Sequence, residues 1–467
     1  MMDFLDRQHS VARLGYSRWM VPPAALAVHL CIGQVYAFSV FNKPMSQLIG
    51  ITAPAPGDWS IPALGWIFSL AIVVLGLSAA FGGAWVERVG PRRAMFTAAL
   101  LFGGGLVIAS AGVALHQLWL VYLGYGVVGG CGLGIGYISP VSTLIKWFPD
   151  RPGLATGCAI MGFGGGALIG APLAVSLMKH YSSAASTGVA PTMLTMGIIY
   201  LCFMMIGPAI VRVPARGWMP AGYVPPTSAD EAKKMVTIHN VTADAAIKTR
   251  QFWLLWWVLC LNVTAGIGVL GQASLMIQEM FPLRFPHDTP VAVAASAAAA
   301  GGFVGLLSIF NMIGRISWAS SSDYLGRKNT YAIFFSLGAV LYALVPWTGK
   351  THNLALFIIF YLIILSMYGG GFATIPAYLK DIFGSIQVGA IHGRLLTAWA
   401  AAGVFGPVLV NYIRQFQLDR GVPKADAYSV TMYIMAVLLA IGFLCNFAMT
   451  PLHERHHAKL SEVEALA

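Results

Sequence analysis

Arg315 interrupts a long uncharged stretch, Asn311-Met312-Ile313-Gly314-Arg315-Ile316-Ser317-Trp318, in a chain whose charged residues make up only 10% of 467. If that stretch crosses a bilayer, holding a guanidinium there costs at least ~2.5 kcal/mol, so a partner is needed. A planar guanidinium fits a carboxylate through two parallel hydrogen bonds. The 17 acidic residues, however, fall in loops, tails or the ends of apolar segments, with Glu279 the nearest to an interior. An incoming anion is therefore the natural counter-ion, and a carrier of cations or amines, which keeps a carboxylate in its pathway, is disfavoured. The alternative is that Arg315 snorkels to water near Asp323, about two turns away. Asn311 lies one turn earlier on the same helical face, where its amide would help fix the ligand or the guanidinium. His29 and Gln34 fall inside the first apolar segment. Histidine titrates near neutral pH, so His29 is a candidate carrier of a coupling proton; a neutral, hydrogen-bonded core histidine is the competing reading.

The segments that position these residues follow from hydropathy. Hydrophobic residues reach 58% and the mean hydropathy is +0.74, outside the range of a water-soluble globular chain. Uncharged apolar runs long enough to cross ~30 Å of hydrocarbon as helices recur along the whole length. They predict twelve spans, at 19–41, 62–85, 94–115, 117–145, 154–178, 191–213, 252–278, 297–320, 330–348, 354–378, 391–413 and 427–449. A membrane barrel would instead show ten-residue alternating strands, which are missing, so the fold class is an all-α membrane protein. Residues 1–18 carry Asp3, Asp6, Arg7 and Arg13 and lead into span one without a small-residue cleavage site, so span one is expected to stay in the mature protein.

Of the 28 Lys and Arg residues, twenty lie on one side if both ends of the chain are cytoplasmic, seven lie opposite, and Arg315 lies within a span. This positive-inside bias puts the 1–18 and 451–467 tails in the cytoplasm of a plasma (inner) membrane. It also accounts for the net charge of +11 without nucleic acid, because the cations are dispersed among short loops. The stretch 214–250, with Pro214, Pro220, Pro225 and Pro226, reads as a cytoplasmic linker between a first bundle of six spans (19–213) and a second (251–450), with a short surface helix expected at 235–250.

No enzyme constellation emerges. Gly124-Tyr125-Gly126-Val127-Val128-Gly129 fits a nucleotide fingerprint, but it lies mid-span with no strand before it. Gly126, Gly130 and Gly134 instead make a small-residue face for close helix packing, and Gly162, Gly164, Gly165 and Gly166 in span five suggest a similar contact or a flexible point. The six cysteines (Cys31, Cys131, Cys158, Cys202, Cys260, Cys445) fall singly in apolar segments and read as small core residues. His453, His456 and His457 read as a cationic interfacial tail rather than a metal site. No metal and no cofactor is expected.

The two halves echo each other. Glu87-Arg88-Val89-Gly90-Pro91-Arg92-Arg93 follows span two, and Asp323-Tyr324-Leu325-Gly326-Arg327-Lys328 follows span eight. In each, an acid precedes a Gly by three residues and a basic pair follows. The Gly permits a tight turn, the acid can sit near a facing helix N-terminus, and the basic pair stays at the interface. These turns are the expected conformational gates, through Glu87, Gly90, Arg92, Arg93, Asp323, Gly326, Arg327 and Lys328. A repeat of this kind in both halves resembles the major facilitator superfamily, although the first copy has Glu87 for the usual Asp and Pro91 inserted before the basic pair. Trp147-Phe148-Pro149-Asp150-Arg151-Pro152-Gly153-Leu154-Ala155-Thr156-Gly157, Asp381-Ile382-Phe383-Gly384 and Arg250-Gln251-Phe252-Trp253 narrow the likeness to the oxalate/formate antiporter family, over nearly the whole chain from Arg18 to span twelve.

That resemblance implies two six-helix bundles rocking about a central site that moves small carboxylates, with an anion-binding Arg at the position of Arg315. It also implies a Tyr hydroxyl near the substrate at Tyr137, whose competing role is a packing aromatic. Oxalate exchangers of the family carry a second cation, a Lys on helix eleven; aligning Gly393 through Gly406 puts Trp399 there. One cation at depth matches a monoanion and leaves a dianion uncompensated, unless a protonated His29 or an inward-reaching Lys380 or Arg394 supplies a second. The expected substrate-binding set is thus Arg315, Asn311, Tyr137, Trp399 and Gln34, with His29 for proton coupling. The expected activity is secondary transport of a small carboxylate, foremost a monocarboxylate, by a functional monomer in the lipid bilayer. Oxalate/formate exchange is the rival within transporters, and a transport-inactive sensor or scaffold the rival outside them.

Overall fold

The computed structural model describes residues 2–13, 15–215, 217–225, 235–270, 272–285 and 290–459. Twelve helices in it are long and apolar enough to cross a bilayer: Arg18–Met45, Ile61–Val89, Pro91–Ala114, Leu118–Trp147, Pro152–Tyr181, Val189–Ile210, Arg250–Leu270, Ala299–Leu325, Arg327–Lys350, Leu354–Phe383, Val388–Asp419 and Ser429–Phe447. They match the twelve expected spans in number and order. Their starts carry ordinary helix signals: the Ser60 hydroxyl accepts from the Ala63 N–H, Asn353 Oδ1 accepts from the Leu356 N–H at 3.1 Å, and Pro occupies the first positions of spans two, three and five. Span one changes character midway, from α-helix over Val21–Ile32 to a tighter 3-10 form over Gly33–Phe41.

Two expectations need correction. Span seven is not one helix over 252–278 but Arg250–Leu270 followed by a separate Ala273–Met280. Gln272 precedes the second helix and turns its N–H onto the Val269 carbonyl at 3.0 Å. The surface helix expected at 235–250 shrinks to Ala243–Ala246. The residues before it are drawn out along the turn after span ten, where the Thr237 and Val241 N–H groups donate to the Asp381 and Phe383 carbonyls. These tertiary hydrogen bonds outcompete a local helix. The linker residues Arg216 and 226–234 and the tail residues 460–467 lie outside the described residues.

Glycine rows set how closely the spans approach. Gly126, Gly130 and Gly134 face Leu70, Val74 and Ser78 of span two, so this row is the packing face that its spacing predicts. In span five, Gly162 and Gly166 abut His29 and Gly33 of span one, while Gly164 and Gly165 abut Arg315 and Met312 of span eight. In span ten, Gly369 abuts Asn311. Span eight is therefore wedged between two glycine rows at the level of Arg315, and a side chain at any of these positions would push the helices apart.

The two halves meet through a pseudo-symmetric pair of contacts on the face that carries the chain ends, called here the terminal face. Asp323, closing span eight, accepts hydrogen bonds from the Gly153 and Leu154 N–H groups at 2.8 and 2.9 Å, which start span five. Glu87, closing span two, accepts from the Gly389 N–H at 3.1 Å at the start of span eleven, and pairs with Lys146 at 2.6 Å. Each acid thus caps a helix N-terminus of the other half, where exposed N–H groups and the helix dipole favour negative charge. Gly90 and Gly326 turn the chain just after each acid, at φ of 82° and 83°.

The basic pairs differ from expectation. Arg327 is buried rather than interfacial, bridging Asp323 at 2.5 Å and Asp381 at 3.1 Å and also meeting Ser322. Arg92 is buried too and donates to the Phe4 carbonyl at 2.8 Å, whereas Arg93 is exposed and Lys328 caps the Phe447 and Met449 carbonyls. A buried carboxylate, or a segment of chain laid across the turn, outweighs water as partner for the first basic residue of each pair.

Candidate functional site

Span eight delivers Arg315 to the middle of the molecule with no exposed surface. Nε donates to Asn311 Oδ1 at 3.1 Å and Nη1 to the Ile160 carbonyl of span five at 3.3 Å. Span eight runs toward the terminal face, and Asn311 is one turn farther from that face than Arg315. The guanidinium therefore points back into the molecule, along the direction that helical Cβ vectors favour, which goes against the snorkelling alternative. Nη2 is buried without a well-formed hydrogen bond. Among the described residues no carboxylate pairs with Arg315, as expected from the placement of the acids: Glu279 is held by Arg414 and by the Tyr428 hydroxyl.

Aromatic rings from both halves enclose the guanidinium. Phe163 of span five and Phe372 of span ten lie with ring centroids 5.7 and 5.2 Å from its Cζ, close enough for cation–π attraction. Trp399 of span eleven packs on Phe372 at 4.5 Å, on Phe163 at 5.2 Å and on Tyr137 of span four at 5.3 Å. The Tyr36 hydroxyl of span one meets that of Tyr368 of span ten at 3.1 Å, across the two halves. The Tyr36 and Tyr137 hydroxyls both face Arg315 closely enough for the guanidinium to donate weakly to their oxygens. Yet the Tyr137 O–H and the Trp399 indole N–H, both fully buried, donate to no acceptor.

Arg315, Asn311, Tyr137 and Trp399 thus lie together in the middle of the molecule. Gln34 does not join them through any hydrogen bond: its carbonyl oxygen accepts from the Tyr125 hydroxyl at 3.1 Å inside the first half, and its amide nitrogen is buried without a partner. His29 stands against Tyr137, with Nδ1 2.7 Å from the Ala159 carbonyl and Nε2 3.2 Å from the Tyr137 carbonyl. Tyr36, Phe163, Tyr368, Phe372 and His392 escaped the sequence reading. Phe163 and Phe372 adjoin glycine clusters, Gly162-Phe163-Gly164 and Gly369-Gly370-Gly371-Phe372, and a large ring set in a row cleared for close approach is the signal that could have found them.

Chemically, the Tyr137 O–H and Trp399 Nε1–H have no acceptor, and Arg315 Nη2 has no well-formed hydrogen bond and only the weak approach of the tyrosine oxygens. Buried donors left unpaired are costly, and an oxyanion would satisfy them while neutralising the guanidinium. The two other cations considered as partners turn elsewhere: Lys380 lies 3.6 Å from Asp381, and Arg394 pairs with Asp244 at 2.5 Å. The cluster therefore holds one positive charge, Arg315, among apolar rings. Among the described residues no group of three His, Cys, Asp or Glu side chains is placed to hold a metal ion, and His457 stacks on His239.

Known proteins resemble the chain over this whole architecture. It is 28% identical over 404 residues to the oxalate:formate antiporter of Oxalobacter formigenes, covering 85% of each chain. It is 24% identical over 459 residues to apicoplast pyruvate carrier 1 of Toxoplasma gondii, covering 87% of this chain and 78% of that one. The solved structure of FucP in its outward conformation superposes with a TM-score of 0.62 at 14% identity, over 92% of this chain and 99% of that one, which establishes the fold alone. The family model of the Major Facilitator Superfamily matches residues 20–407, the span of helices that builds the central Arg315 cluster and both capped turns, and the chain belongs to that superfamily of integral, multi-pass membrane transporters.

Proposed function

We propose that the chain is a secondary active carrier of small organic anions, foremost monocarboxylates, working by alternating access. The observation that carries this reading is the buried, carboxylate-free Arg315, whose Nη2 shares the centre of the molecule with the Tyr137 O–H and Trp399 Nε1–H, which have no acceptor. The carboxylate docks on the Arg315 fork, steadied by Asn311 from behind, while Trp399, Phe163 and Phe372 enclose its carbon end. The relatives named as an oxalate:formate antiporter and a pyruvate carrier support this substrate class. Asp323 and Glu87 hold the terminal face shut by capping spans five and eleven, and their release opens the other state. Transport is coupled to a proton or to a counter-anion. For a proton, His29 is the candidate: a neutral imidazole satisfies one of its two carbonyl neighbours, and the protonated ring donates to both.

One cation favours one negative charge, because a second carboxylate would enter a low-dielectric site unpaired. Pyruvate should therefore displace labelled lactate at neutral pH at least about 10-fold better than oxalate does, corresponding to ~1.4 kcal/mol. Better displacement by oxalate would refute the single-charge reading and leave oxalate exchange in its place. Trp399→Lys should then raise oxalate uptake, and no rise would remove Trp399 from the site.

The carrier works as a monomer in the plasma (inner) membrane, with its termini and the 214–250 linker in the cytoplasm, as the twenty-to-seven charge bias supports. Reporter fusions after residues 225 and 467 should both report the cytoplasm, and a periplasmic signal at either would overturn this topology.

A further inference from the structure

We propose that His392 is a pH switch in the seam that closes the terminal face: its neutral ring is buried as the two halves meet, and its protonated ring holds them apart. The inference rests on the alternating-access reading above and goes beyond it, since it concerns closure of the seam rather than the substrate.

The first turns of span eleven lie directly on the first half. Gly389 abuts Glu87 and Ser142, Ala390 abuts Gly83, and Gly393 abuts the Ala79 carbonyl. His392 sits among these contacts, 1% exposed, with its ring centroid 5.8 Å from that of Tyr137 of span four. A side chain of the second half is thus closed in by the first, and neither its Nδ1 nor its Nε2 has a hydrogen-bond partner. The pseudo-symmetric copy of this seam is filled differently. Thr156 follows the capped Gly153 by three residues, as His392 follows the capped Gly389, and its hydroxyl donates to the Ala373 carbonyl of the other half at 2.6 Å. One side of the closure therefore carries a satisfied neutral hydroxyl, and the other a titratable ring with no bond across the halves.

The charged groups near this end of span eleven are engaged. Glu87 of span two is tied to Lys146 of span four and to the Gly389 N–H, Asp244 to Arg394, and Asp381 of span ten to Arg327 and Lys380. His29 of span one stands on the Tyr137 ring at 5.3 Å, with both nitrogens on carbonyl oxygens. A charged imidazole buried here would have no counter-ion and no acceptor, which is costly. Once the seam parts, water reaches the ring, and a hydrated histidine titrates at about pH 6.5. Protons then bind the parted state in preference, so acid favours the open terminal face and alkali the closed one.

The test uses Ala319→Cys, at a position fully buried against Gly153 where spans five and eight meet. The protein in lipid nanodiscs is labelled with an impermeant maleimide, and modification at residue 319 is read by peptide mass spectrometry. Dividing the rate with His392 present by the rate in His392→Gln at the same pH cancels the titration of the thiol itself. That quotient should rise about 10-fold between about pH 8 and about pH 5.5, as one proton bound only by the parted state requires. His392→Leu, which removes both idle nitrogens, should serve equally as the reference, and adding His29→Gln to the numerator should leave the rise in place. A flat quotient against both references overturns the proposal, as does a rise that His29→Gln abolishes. The rise without any pyruvate uptake by the wild type in liposomes would sink the carrier reading and leave the switch standing. Uptake with a flat quotient would sink the switch alone.

Discussion

Arg315→Lys should lower carboxylate uptake at least about 100-fold while leaving the protein folded and inserted. The ammonium keeps the charge but not the fork: it cannot hold Asn311 Oδ1, the Ile160 carbonyl and a bidentate carboxylate together. Charge-assisted hydrogen bonds contribute roughly 1.5–3 kcal/mol each, so losing one or two of them costs about 3 kcal/mol, which is the 100-fold expected. Arg315→Gln should be at least as damaging, since the carboxylate would then enter an apolar cage with no counter-charge. Uptake within about twofold of wild type by Arg315→Gln, at equal protein in the membrane, would make Arg315 a packing residue and remove the anchor from the mechanism.

Asp323→Asn should open the terminal face. Its carboxylate caps Gly153 and Leu154 across the two halves and also pairs with Arg327. Because Arg327 keeps Asp381 as a partner, the change does not strand a buried cation, and its main effect is on the closure between halves. Hydrogen bonds to a charged group contribute roughly 1.5–3 kcal/mol each, and losing about 1.5 kcal/mol from one conformational state alone shifts its population about 10-fold. Ala319 is fully buried against Gly153 at this seam, so a cysteine placed there reports the opening. In Ala319→Cys, labelling by an impermeant maleimide added from the terminal face should rise at least about 10-fold when Asp323→Asn is combined with it. Unchanged labelling would mean that the cap does not hold the seam.

Much of this architecture was legible before any coordinates, for physical reasons. In hydrocarbon every backbone polar group must be paired within its own segment, so apolar runs of sufficient length declare themselves as helices, and the twelve spans and the Gly90 and Gly326 turns followed. Arg315 was legible because a charge at depth is expensive and therefore conspicuous. The aromatic cage was not. Phe163, Tyr368 and Phe372 are apolar residues in apolar helices, and only their approach across spans five, eight and ten distinguishes them from lipid-facing or core rings. The buried state of His392 was not legible either, since two missing hydrogen bonds leave no trace in a sequence. The shortened linker helix was hidden for a related reason, since long-range hydrogen bonds such as Thr237 to Asp381 outweigh local propensity.

The central claim, that the Arg315 cluster carries small carboxylates through the membrane, is tested most directly by uptake into liposomes containing the purified protein. Labelled formate, lactate, pyruvate and oxalate would be offered with and without a pH gradient and with and without internal anion. The account predicts saturable uptake of lactate and pyruvate above oxalate, accelerated by an inward proton gradient or by internal carboxylate, and lost in Arg315→Lys. Failure to accumulate any of the four acids above protein-free liposomes under all of these conditions would contradict it.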